Sequence, residues 1–139
     1  MTRKLSLFGL LTIALFAAAG FLLQVTGMPP RTMETRLEPY GNIQVHLQTE
    51  PDPPKTGGIP LMIHLTDASG KPVSVDQVQY EYWESGEAPQ QVEGKMTGAG
   101  SYTAVAGIGS VGEWQVRVTL ISRNQQAEVK FLLRVMPNI

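Results

Sequence analysis

Apolar and polar residues alternate with a period of two through most of the chain beyond residue 40. At 42–48, Ile43, Val45 and Leu47 fall in one phase and Gln44, His46 and Gln48 in the other; at 61–65, Leu61, Ile63 and Leu65 oppose Met62 and His64. Successive side chains of an extended strand point to opposite faces, so this pattern predicts a sheet with one buried face. Val78, Tyr80 and Tyr82 alternate in the same way with Gln77, Gln79, Glu81 and Trp83, and Trp114, Val116, Val118 and Leu120 form one face of a later strand. In 127–135, Val129, Phe131 and Leu133 alternate with Lys130 and Arg134, but Leu132 breaks the phase. Shorter strands are predicted at 92–96 and 101–106. Stretches rich in Gly, Pro, Asp and Asn separate the strands at 50–58, 67–71, 98–100, 107–112 and around Asn124, with a polar loop at 84–89. Seven short strands and no amphipathic helix predict an all-β domain, and about 100 residues suit an immunoglobulin-like β-sandwich.

One segment departs from this pattern. Residues 5–25 carry no charge and follow Arg3 and Lys4. As a helix they would span about 30 Å, the thickness of a hydrocarbon core. The preferred reading of 1–25 is a signal anchor, a single transmembrane helix that keeps Arg3 and Lys4 inside and exports the remainder. The alternative is a signal peptide cleaved before Gly20, after the small residues Ala17 and Ala19. Cleavage there would leave Phe21, Leu22, Leu23 and Val25 at an apolar new terminus. Residues 26–40 mix Pro29, Pro30 and Pro39 with charges of both signs and read as an extracytoplasmic linker, with part of a first strand or a short helix as the competing reading, since Met33 and Leu37 are four apart. The folded domain is expected over 41–139. The expected location is therefore the cell membrane, single-pass, with the C-terminal domain extracytoplasmic.

Composition narrows the function. The 139 residues contain no cysteine, which excludes a disulfide framework and a thiolate metal site. The net charge of −1 provides no electrostatic footprint for nucleic acid. Without Arg3 and Lys4 the remainder is mildly acidic. Trp83 and Trp114 are candidates to fill the core where a sandwich often carries a disulfide, with the solvent face as the other place for a Trp.

From Ile43 onward the chain runs through E-P-D-P-P-K-T-G-G-I-P-L, L-T-D-A-S-G-K-P-V, a Gly-led S-Y-T strand start, G-E-W-Q-V-R-V and V-K-F-L-L-R-V. This order resembles the YtkA-like domain, related to the FixH family, over most of 41–136. The resemblance implies a bacterial, membrane-attached, extracytoplasmic immunoglobulin-like domain, with some relatives associated with copper handling or assembly of copper-containing oxidases. Relatives often carry a Met-rich segment after the third strand; at 82–96 this chain retains Met96 alone.

Four groups of residues could carry chemistry. His46 and His64 share the outward phase of their strands with Met62. An antiparallel pairing centred near Pro54 would set Gln44 opposite His64 and His46 opposite Met62, gathering the three into one neighbourhood. Imidazole suits copper(II) and thioether copper(I), so this triplet is the candidate metal site. Against it stands the plain reading of two surface histidines. Glu81, Glu84, Glu87 and Glu93 lack calcium-loop spacing and read as a solvated loop. No serine lies in a G-x-S-x-G elbow, and the G-x-G-x-x-G match at 107–112 falls between two strands. Tyr80, Tyr82, Trp83 and Tyr102 supply aromatics either to a protein interface or to the core.

The expected function is a non-enzymatic binding or accessory module acting through protein interaction at the outer membrane face, without a cofactor. The alternative is a copper-binding or copper-delivery protein using His46 and His64 with Met62 or Met96. The expected partners are the membrane, through the N-terminal helix, and a protein of the cell envelope, with no nucleic acid.

Overall fold

The structure is a computed structural model and describes residues 29–138. The anchor expected at 1–25 lies outside the described residues. Among those described, no helix is long and apolar enough to cross a membrane.

The domain is all-β. Its eight strands are β1 (Thr32–Leu37), β2 (Gly41–Thr49), β3 (Gly57–Asp67), β4 (Gln77–Glu84), β5 (Gln90–Gly98), β6 (Ser101–Ile108), β7 (Gly112–Ser122) and β8 (Gln125–Val135). Every pairing is antiparallel, in the order β1-β2-β3-β6-β5-β4-β7-β8. β5 is the crossing point. Its first half pairs with β4 from Gln90 to Gly94, and its second half pairs with β6 from Lys95 to Gly98, with a register shift between Met96 and Gly98. The two ends of the sheet meet where Glu38 N–H donates to Gln125 Oε1 at 2.9 Å.

The core is the inner phase of each alternating segment. Ile43, Val45, Leu47, Ile59, Leu61, Ile63, Leu65, Val78, Tyr80, Val116, Val118, Leu120 and Leu133 are all within 1 % of full burial. Burying each such side chain contributes roughly 1.5–3 kcal/mol, so the period-two pattern is the main term holding the sheet closed. Buried tyrosines add polar ties across the interior. Tyr80 Oη donates to Tyr102 O at 2.6 Å, linking β4 to β6. Tyr102 Oη donates to Val75 O at 3.0 Å and accepts from Val75 N–H at 2.8 Å, holding the connector between β3 and β4.

Two features differ from the sequence expectation. There are eight strands rather than seven, and the extra one, β1, lies in the stretch read as linker. In β1 only Met33 and Leu37 are apolar, Thr35 sits between them in the same phase, and Glu34 and Arg36 are exposed. Such a short edge strand between prolines carries too little apolar signal to stand out. Its membership is nonetheless firm: it pairs with β2 along its length, and Leu47 N–H donates to Arg31 O at 2.7 Å. The second difference is Trp83. Trp114 is buried and its Nε1–H donates to Ser110 O at 3.0 Å, whereas Trp83 lies in the opposite phase from Tyr82 and faces outward.

Arg31, at the entrance to β1, is a polar group buried at a cost. Its side chain is only 13 % exposed, and Nη2 lies 2.8 Å from Asp52 Oδ1. Its Nε and Nη1 are buried without an acceptor. Burial lowers its pKa, and the Asp52 carboxylate opposes that shift. Asp52→Ala is expected to destabilise the fold by about 1–3 kcal/mol, because the guanidinium keeps its desolvation cost without its partner. Arg31→Met is expected to be neutral or stabilising. Urea denaturation of both variants checks the sign, and equal losses would refute the account.

Candidate functional site

The outer surface of β1, β2, β3 and β6 carries one continuous polar row. Thr32 pairs with His46, His46 with His64, and His64 with Ser101. The sequence placed both histidines on the outward face, and they lie there: His46 is half-buried and His64 exposed. The expected pairing of His46 with Met62 does not occur. His46 is opposite His64, and Met62 is opposite Gln48. A shift of two residues preserves which side chains face the core, so alternation determines the face but not the row.

Hydroxyls at both ends engage the imidazoles. Thr32 Oγ1 lies 2.7 Å from His46 Nδ1. Ser101 Oγ lies 2.8 Å from His64 Nδ1 and 3.2 Å from its Nε2. Directly opposed residues hold their Cβ atoms about 5 Å apart, but these hydroxyls draw His46 toward β1 and His64 toward β6. If Nδ1–H of His46 donates to Thr32, the Nε2 lone pair is free to ligate, with the hydroxyl fixing the ring. Met62 lies two residues along β3 from His64, roughly 7 Å away on the same face. It lines a cavity of about 300 Å³ with Gln48, Thr49, Glu50, Asp52 and Pro60. Among the described residues, no group of three or more His, Cys, Asp or Glu could hold a metal.

The outer face of β4, β7 and β8 has a different character. Trp83, Gln115 and Leu132 form one row, and Glu81, Arg117 and Lys130 the next. Arg117 Nη2 lies 2.9 Å and Nε 3.2 Å from the two carboxylate oxygens of Glu81. Its guanidinium carbon sits 5.2 Å from the centroid of the Trp83 ring. Hydrogen bonding to Glu81 raises the Arg117 pKa. Trp83, Arg117 and Leu132 are each half-buried. Sequence reasoning did not connect Arg117 or Leu132 with Trp83. The available signal was Leu132 itself, an apolar residue in the polar phase of its strand.

The remaining candidates disperse. Tyr80, Tyr82 and Tyr102 are buried, which leaves Trp83 as the member of that aromatic group at the surface. Of the acidic residues, Glu81 pairs with Arg117 and Glu84 accepts from Ser110 Oγ at 2.6 Å. Residues 107–112 join β6 to β7, so no helix follows the glycines.

These features define a small all-β domain with a polar histidine row on one outer face and an aromatic–arginine patch on the other. The YtkA-like family model matches residues 37–119, which extends from the end of β1 into β7. The chain belongs to the YtkA-like family. No curated protein and no solved structure matches it.

Proposed function

We propose that the chain is an extracytoplasmic accessory module, without catalytic activity, that is anchored in the membrane by 1–25 and acts by docking a protein of the cell envelope. In this reading the framework is an immunoglobulin-like sandwich, with β5 passing between two packed layers. The observation that carries the docking role is the Trp83–Arg117–Leu132 patch. Trp and Arg are enriched where interfaces concentrate their binding energy, and an indole with a guanidinium above it presents a large, stiff contact area. Crosslinking the full chain in native membranes is expected to yield a hetero-adduct that Trp83→Ala or Leu132→Ala reduces at least tenfold, the equivalent of about 1.4 kcal/mol. The thermal midpoint of either variant should change little. A chain that forms no hetero-adduct in those membranes would refute the proposal.

The apposition of His46 and His64 supports a second reading, copper binding or delivery. It agrees with the copper association of some YtkA-like and FixH-related proteins. The two imidazoles and the Met62 thioether offer donors for both copper oxidation states. Copper titration of the detergent-solubilised full chain is expected to show one site that the His46→Ala, His64→Ala double variant loses. Equal binding by parent and double variant would eliminate this reading.

A further inference from the structure

Beyond Thr103, β6 has no strand partner on its β5 side. β5 pairs with it only at Ser101, Tyr102 and Thr103 and then turns away to β4. Among the described residues no other strand takes the place of β5, so 104–108 is paired on the β3 side alone. Gly107 N–H points away from β3, because it donates to Tyr82 Oη at 3.3 Å. By the two-residue period of the strand, the N–H and C=O of Val105 point the same way.

Apart from the Tyr82 hydroxyl on Gly107 N–H, this edge lacks the usual protection. Soluble proteins guard open edges with charge, proline or bulges. Residues 101–112 contain no charged residue and no proline, and the register of β6 against β3 is unbroken. Val105 is 59 % exposed and Val111 52 %. The edge strand β1, by contrast, carries Glu34 and Arg36.

We propose that this edge is the two-fold interface of a homodimer, with 104–108 pairing antiparallel to the same residues of a second copy about Ala106. Three observations favour a second copy as the occupant. The free stretch has matching ends: Lys95 on β5 closes one opposite Thr103, and the turn at Gly109 closes the other. In this register Val105 lies opposite Gly107 of the second copy, twice. A Cβ built on Gly107 meets no atom within 4 Å, so each exposed valine sits over open space. Charge also matches. The antiparallel arrangement brings Lys95 toward the opposite end of the second copy's edge, where Ser110 holds Glu84. Pairing costs the long Gly107–Tyr82 bond, while Tyr82 keeps its bond to Gln90 Oε1 at 3.2 Å.

The chain has no cysteine, so introduced thiols report the register directly. Full chains carrying Val105→Cys and Gly107→Cys are purified in detergent, mixed and mildly oxidised. The mixture is expected to form a disulfide-linked dimer several times faster than either variant alone or a Ser69→Cys control. Light scattering is expected to show a dimer for the parent and a shift to monomer for Val105→Lys. Equal crosslinking in all samples, a monomeric parent, or a dimer that survives Val105→Lys would overturn the proposal. An extended segment of another protein at this edge would leave the mixture uncrosslinked, which also counts against it.

Discussion

Tyr80→Ala is expected to lower the unfolding free energy by about 3–5 kcal/mol, the range for removing a large aromatic from a closed core. Tyr80 is fully buried, and its hydroxyl ties β4 to the β6 backbone at Tyr102 O, 2.6 Å away. Tyr80→Phe keeps the ring and strands that carbonyl, so a smaller loss of about 1–3 kcal/mol is expected. Gly94 of β5 lies against the same ring: a Cβ there would sit 2.9 Å from Tyr80 Cε2. Gly94→Ala therefore overpacks the site, at a cost of about 1–3 kcal/mol. In the Tyr80→Ala background that cost should largely vanish. Guanidinium denaturation of the two singles and the double tests this, and additive losses would show that the ring and Gly94 do not share a site. Burial also raises the phenol pKa well above its usual value. The phenol therefore contributes full stability below pH about 10, and that contribution falls at higher pH as the unfolded tyrosine ionises first.

The second large effect is expected at Tyr102. Tyr102→Phe preserves the buried ring but removes both bonds to Val75, leaving its N–H and C=O without their partner. Two stranded backbone groups correspond to about 2–4 kcal/mol. The connector between β3 and β4 should loosen specifically, because Val73 and Val75 enter the core through it. Amide exchange at Val75 is expected to accelerate more than exchange in β7. A uniform change across the domain would instead indicate general destabilisation.

These tyrosines also show where sequence reasoning ends. Their phase placed Tyr80 and Tyr82 on the same strand face as Val78, and left interface and core both open for them. The hydroxyl partners of Tyr80 and Tyr102 could not be read, because they are backbone atoms distant in sequence, brought near by the β4–β5–β6 crossing. The histidines behave similarly. Period-two alternation placed His46 and His64 outward, and they are outward. Their direct opposition depends on how the connector between β2 and β3 closes, and a two-residue shift leaves the hydrophobic pattern unchanged. Thr32 and Ser101 complete the row from β1 and β6, two strands that never neighbour each other in the chain.

The sequence by itself determined the all-β class, the inward and outward faces of its main strands, the absence of any disulfide and the YtkA-like resemblance. Each of these depends on local periodicity or residue identity. Only the tertiary structure decided that β1 belongs to the sheet and that His46 faces His64. It also decided that Trp83 shares a surface with Arg117 and Leu132, and that β6 beyond Thr103 has no strand partner on its β5 side. Those outcomes depend on strand order and register, which are determined by turn closure and packing between distant segments rather than by alternation within any one of them.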